Sequence, residues 1–274
     1  MKENTTTWSE IRKWSSIAIL TISSMVLCSN VAKAAVIKTD IVMIVDESGS
    51  MGGVQANLRN NIGLFASILS AGGIDANYAL VGYGRSGDLI RLITDFTDAS
   101  GFATAAANLV ASGGTEPAYD ATAYALNSLS SESGNLTYRA DAVKNMIVYT
   151  DENSNGDTEY SEATLDALLK SNNSLFNAVV PSTAYTSLIN LATNNGGQFF
   201  NLNFLNTNDQ SIVEEFVENF ARAKLQETLD FCQLNPNDPA CTNVSVPAPA
   251  SAYLLLLAVA AISTRRLAKS KNQI

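Results

Sequence analysis

Six short apolar runs rich in β-branched residues punctuate the chain, at Ile41–Val45, Tyr78–Tyr83, Leu89–Ile93, Met146–Tyr149, Leu175–Val180 and Gln198–Leu202. Amphipathic stretches lie between most of them. Val54, Leu58, Ile62, Phe65 and Leu69 follow a helical spacing after the first run. Ala118, Ala121, Ala125, Leu126 and Leu129 do the same before the fourth, with Pro117 placed for a first turn. A last helix is expected from about Ser211, with Val213, Phe216, Val217 and Phe220 on one face. Strands that alternate with helices predict a mostly parallel sheet covered on both sides. "RSGDLIRLITDF" follows the second strand too closely for a crossover helix, so those two strands should pair antiparallel. The expected fold is α/β: a doubly wound, mostly parallel six-stranded sheet with one antiparallel edge strand and helices on both faces. From Val36 to about Leu225 this makes one domain of about 190 residues, an ordinary size for a single domain.

The first run stops on an aspartate, in "DIVMIVDESGSMGG" (Asp40 to Gly53), and the fourth on another, in "KNMIVYTDEN". In open α/β sheets ligands bind beyond the carboxyl ends of the strands, where the strand order reverses. A doubly wound sheet would make these two strands neighbours there and bring Asp46 and Asp151 together. Ser48 and Ser50 follow Asp46 at alternate positions, which turns both hydroxyls the same way. "SGGTEPAYDA", Ser112 to Ala121, carries Thr115 to a helix start. The resulting set is all oxygen, which is what a hard divalent cation takes. Mg²⁺ demands octahedral oxygen and keeps several waters, so a few protein oxygens with one open position suit it. Mn²⁺ or Ca²⁺ are the alternatives.

"DESGS", "SGGT" and "TDEN" resemble the three pieces of the metal-ion-dependent adhesion site of von Willebrand factor type A domains. "FNAVVP…LATNNGGQFF" is similar to that family as well. The resemblance implies that Ser48 and Ser50 coordinate the ion directly and that Thr115 does so directly or through water. It implies that Asp46 and Asp151 act mainly through water, and that a ligand carboxylate commonly completes the shell. Many members have glycine after the third-motif aspartate; this chain has Glu152. With Glu47 and Glu116 nearby, the rim is expected to be more negative than usual.

Other chemistries fit less well. The chain has no histidine, which removes Ser-His-Asp and Cys-His nucleophile arrangements and the usual zinc sites. "SGGT" lacks the lysine of a phosphate-cradling loop. Asp46 and Asp151 could form a glycosidase acid–base pair, but five crowded oxygens favour a cation. "DENSNGDTEYSE" misses the EF-hand spacing and reads as a solvated acidic loop around Asp157 and Glu159. No nucleic-acid partner is expected, because between residues 35 and 250 only 9 Lys and Arg stand against 24 Asp and Glu, a balance of −15.

The ends read as addresses. Residues 1–34 carry early charges, an apolar run from Ile17 to Cys28 and "VAKA", the pattern of a cleaved secretory signal peptide. Residues 247–274 join Pro247 and Pro249 to an apolar stretch and a basic tail with Arg265, Arg266, Lys269 and Lys271. That layout resembles the PEP-CTERM signals that exosortases of Gram-negative bacteria recognise, with Ala248 in place of the usual glutamate. Cys232 and Cys241 flank a turn-forming "QLNPNDPA", so a local disulfide is expected to staple a linker over 229–246 and not the core of the 35–228 domain. The function expected is that of an exported, surface- or envelope-associated, non-enzymatic protein. It would bind a protein or extracellular-matrix ligand through its cation and an acidic side chain of that ligand. Exosortase-type processing and transient membrane contact of the C-terminal segment would accompany export. A metal-assisted hydrolase of envelope polymers, and a structural surface protein whose metal only rigidifies loops, are the rivals.

Overall fold

A computed structural model describes residues 36–242, apart from residues 88, 132 and 133. The expected signal peptide, sorting segment and last residues of the linker lie outside the described residues. Six strands form one sheet in the order β3-β2-β1-β4-β5-β6, where β1 is Ile37–Asp46, β2 Ile74–Tyr83, β3 Ile90–Thr97, β4 Ala142–Tyr149, β5 Leu175–Val180 and β6 Phe199–Asn201. All neighbours run parallel except β2 and β3, which pair antiparallel. The chain builds outward from β1 to β3, then returns to β4 beside β1 and builds the other way. The strand order therefore reverses between β1 and β4, and the crevice at their carboxyl ends is the place where such sheets take ligands.

The helices are α1 (Gly52–Ala71), α2 (Ala99–Ala106), α3 (Ala118–Ala125), α4 (Glu162–Ser171), α5 (Thr186–Asn194) and α6 (Gln210–Leu234). Two apolar layers hold them to the sheet. Ile41, Met43 and Val45 of β1 face α1, α2 and α6, while Val42 and Ile44 face α3, α4 and α5. Burial on both sides explains why β1 is apolar without alternation. In the first layer Phe220 meets Phe65, Phe200 and Phe216, with ring centroids 4.7–5.7 Å apart.

Three expectations needed correction. Helix α3 stops at Ala125, so Leu129 lies beyond it. Asn127 takes a left-handed conformation (φ 56°), Ser128 N–H donates to the Ala123 carbonyl and Asn127 N–H to that of Tyr124, which together close the helix. Helix α2 was not expected; Asp98 caps it by accepting from Gly101 N–H at 2.8 Å. Finally, α6 continues to Leu234, and Cys232 and Cys241 are bonded to each other and buried in the first apolar layer. The expected local disulfide thus ties the segment after the last helix back onto that helix, and both cysteines are buried in the core and not in a free linker. Among the described residues no helix is long and apolar enough to cross a membrane.

Candidate metal centre

Asp46 closes β1 and is fully buried. Its Oδ1 accepts from Ser48 N–H at 2.6 Å, a local turn that aspartate favours, and its Oδ2 accepts from the Thr150 hydroxyl at 2.8 Å. The Ser48 and Ser50 hydroxyl oxygens stand 3.3 Å apart, and Ser50 donates to Asp151 Oδ1 at 3.0 Å. The loops after β1 and β4 are therefore in direct contact through Asp46, which meets Thr150, and through Ser50, which meets Asp151.

The loop before α3 is zipped to the first one. Ser112 and Gly113 N–H groups donate to the Glu47 carbonyl at 2.8 and 3.2 Å, and Gly49 N–H donates to the Gly113 carbonyl at 3.3 Å. Thr115 is exposed beside this seam. A side chain built on Gly84 (φ +85°) would stand 3.2 Å from both Asp46 Oδ1 and the Thr115 carbonyl, and 3.6 Å from Glu116 Cγ. On the other side, a side chain on Gly156 (φ +76°) would run into the Thr115 methyl group. Two glycines in left-handed conformation thus let the second loop lie against the first and the third. Ser48, Ser50 and Asp151 are joined through their side chains and Asp46 through the Ser48 N–H, while Thr115 presents its carbonyl toward Gly84 and its methyl toward Gly156.

Sequence reasoning misplaced two glutamates. Glu47 is fully buried and absent from the rim, because the pleat that turns Asp46 to one face turns its successor to the other. There it receives Arg91 Nε at 3.0 Å, Arg91 Nη2 at 2.6 Å and Val110 N–H at 2.9 Å. Glu116 is likewise not a rim residue; it is 4% exposed, beside Asp46. Asn155 clasps it, donating Nδ2 to Glu116 Oε2 at 2.6 Å while its own Oδ1 accepts from Glu116 N–H at 3.2 Å. The acidic stretch after β4 is mostly exposed, as expected, and two of its carboxylates also anchor it. Asp157 accepts from Tyr119 and Asp120 N–H at the start of α3, and Asp120 accepts in return from Thr158 and Tyr160 N–H. Glu159 takes the Ser130 hydroxyl and the N–H groups of Ser130 and Ser131, and these bonds, that of the Ser130 side chain first, pull its carboxyl down to about 2. Tyr185 donates to the Asp151 carbonyl at 2.7 Å and fixes the third loop from outside.

The charge balance singles out this spot. The buried carboxylates of Asp40, Glu47 and Glu227 each pair with a cation, Arg139, Arg91 and Lys224 respectively. Asp120 is held by backbone N–H groups. Asp46 and Glu116 lie side by side with no ion pair among the described residues. Burial pushes the Asp46 carboxyl up to about 6, and the neighbouring Glu116 charge adds to the rise. Buried carboxylates ordinarily come with a counter-charge. No group of three or more histidines, cysteines and carboxylates gathers among the described residues, so an ion bound here would depend on the serine and threonine hydroxyls as well. The donors present are hard oxygens without nitrogen or sulfur, a set that fits Mg²⁺ and its hard relatives.

Fold and site together define a class: a doubly wound α/β domain with an oxygen-only cup of three loops at its strand-order reversal. The family model for the von Willebrand factor type A domain matches residues 40–218, and the chain belongs to that family. No curated protein matches the sequence. Among solved structures it is similar to proximal thread matrix protein 1 from the mussel byssus, with 17% identity and a TM-score of 0.49, over 69% of this chain and 47% of that one. It is also similar to the VWA domain of SpRpn10, with 12% identity and a TM-score of 0.48, over 65% of this chain and 93% of that domain. The chain spans about half the length of the mussel protein.

Proposed function

We propose that this chain is an exported binding module that holds a divalent cation, Mg²⁺ in the first instance, at Asp46, Ser48, Ser50, Thr115 and Asp151 and docks a partner protein through it. The observation that carries the reading is the pair of adjacent buried carboxylates, Asp46 and Glu116, with no ion pair among the described residues, where two serine hydroxyls and Asp151 also meet. A bound ion would supply the missing positive charge and a Lewis-acidic position for a partner's oxygen. Asp46 and Glu116 would neutralise it from below, and Ser48, Ser50 and Thr115 would hold it from the loops. Domains of this family typically mediate protein interactions, in keeping with a binding role and no catalysis. Export to the envelope or surface, with processing of the tail by an exosortase-type enzyme, is the reading of the two ends of the sequence.

Adding Mg²⁺ or Mn²⁺ to the EDTA-stripped full chain is expected to raise its melting temperature by mass action. Asp46→Ala and Ser48→Ala should abolish that rise. Variants that respond like the parent would remove the metal reading. A partner captured from the envelope equally well with and without EDTA would leave the ion a purely structural role.

A further inference from the structure

We propose that a cleft at the far end of the sheet from the cup binds a primary alkylammonium group. The cleft has a volume of about 370 Å³, within the range of small-molecule sites, and opens beside Leu175 at the start of β5. β5 runs parallel to β4, and β4 to β1, so this end lies opposite the carboxyl ends at which Asp46 and Asp151 stand. Helices α4, α5 and α6 all finish here, and Lys170, Asn194 and Leu234 of their last turns line the cleft. Helix C-termini carry partial negative charge and favour cations.

The amide side chains on its walls have spent their donors. Asn173 Nδ2 donates to Asp238 at 2.7 Å and Asn195 Nδ2 to Asp166 and the Leu191 carbonyl, both at 2.8 Å. Asn235 Nδ2 donates to the Phe231 carbonyl at 2.9 Å and Gln198 Nε2 to Glu227 at 3.0 Å. Carboxylates and backbone carbonyls accept, so these partners fix the way each amide points. The four amide carbonyl oxygens are left over, with no donor to them among the described residues. Nearby cations are already taken, Lys170 by Asp166 at 2.5 Å and Lys224 by Glu227 at 2.6 Å. Asp230, exposed at the cleft, has no ion pair among the described residues and accepts from Gln226 at 2.7 Å. An occupant must therefore bring N–H donors and positive charge. Both Glu227 oxygens are engaged, by Lys224 and Gln198, and one Asp230 oxygen by Gln226. Neither carboxylate offers the paired face that a guanidinium prefers, whereas the three donors of an ammonium suit separate carbonyls. Leu175, Phe231 and Leu234, the last 80% exposed, supply an apolar wall for its alkyl chain.

Three probes of one chain length test this: n-pentylamine, pentan-1-ol and n-pentyltrimethylammonium. Each is titrated at neutral pH into the ¹⁵N-labelled full chain in EDTA, and amide chemical shifts report both affinity and place. Pentylamine is expected to shift the Ser174, Gly196 and Asn235 amides to saturation. Pentanol lacks the charge and the trimethyl compound lacks the N–H donors, so each should bind at least about tenfold more weakly. Asp230→Asn, at an exposed position, should weaken pentylamine about tenfold. Asn173→Gly should do the same, and glycine accepts the left-handed backbone there (φ 51°). Nα-acetyl-lysine amide distinguishes the sources. Affinity equal to that of pentylamine supports a site for a protein-borne lysine, and a clear preference for pentylamine supports a site for a small free amine. Pentanol or the trimethyl compound binding as tightly as pentylamine would overturn the proposal. So would pentylamine that shifts no amide of the cleft, or that binds both variants like the parent.

Discussion

In the metal-free protein, Asp46→Asn is expected to stabilise the fold and at the same time abolish its response to Mg²⁺. The Asp46 carboxyl is pushed by burial from 3.8 in the open chain to about 6 in the fold. A difference of about 2 pH units corresponds to about 3 kcal/mol. The folded protein holds this proton more tightly than the unfolded chain. Stability from the group is therefore complete below about pH 3.8, declines as pH rises through about 6, and is absent above that. At neutral pH the metal-free protein carries the full deficit, and asparagine does not. Its amide oxygen can still accept from Ser48 N–H, and the Thr150 hydroxyl can rotate to accept from its nitrogen. Allowing for imperfect exchange of those bonds, the net gain should be about 1–3 kcal/mol, or several degrees in melting temperature. Urea unfolding in EDTA at pH ~7 and pH ~4.5, for both proteins, separates Asp46 from Asp40, Asp157 and Glu227, whose carboxyls burial also raises. The variant should be the more stable protein at the higher pH, with the gap closing at the lower one. A variant less stable than its parent at neutral pH in EDTA, or a gap that ignores pH, would refute the reasoning.

Arg91→Ala leaves Glu47 buried without its counter-charge and should cost about 3–5 kcal/mol, measured by denaturant unfolding with and without metal. Reducing the Cys232–Cys241 bond, or Cys241→Ser, releases a short loop with a sequence separation of 9 and should cost about 2–3 kcal/mol in thermal unfolding. Gly156→Ala forces a side chain into a left-handed backbone and against Thr115; it should cost about 1–2 kcal/mol and weaken Mg²⁺ binding by calorimetry.

Features legible in the sequence were those set by short-range pattern. The six strands follow from apolar runs, and the antiparallel β2–β3 pair follows from a connection too short for a crossover. The convergence of Asp46 and Asp151 follows once the sheet is taken as doubly wound. What the sequence hid depends on partners far away in the chain. Glu47 and Arg91 are 44 residues apart, and only the folded sheet makes them a pair. The strand pleat could have signalled that Glu47 faces away from Asp46, since neighbours on a strand point to opposite sides. Glu116 gave no such sign, because its burial depends on Asn155 reaching back 39 residues. The loop after β4 is exposed, as its composition suggests, but composition does not reveal that Asp157 takes backbone N–H groups at the start of α3. Cys232 lay past the last residue whose apolar spacing was followed, so its place in the core went unread.

Diffraction from crystals soaked in Mn²⁺, with the anomalous signal of that ion, tests the central claim most directly. One strong anomalous peak bounded by Asp46, Ser48, Ser50, Thr115 and Asp151 is the expected result. A cup that stays free of anomalous density while the crystal takes up Mn²⁺ elsewhere would contradict it.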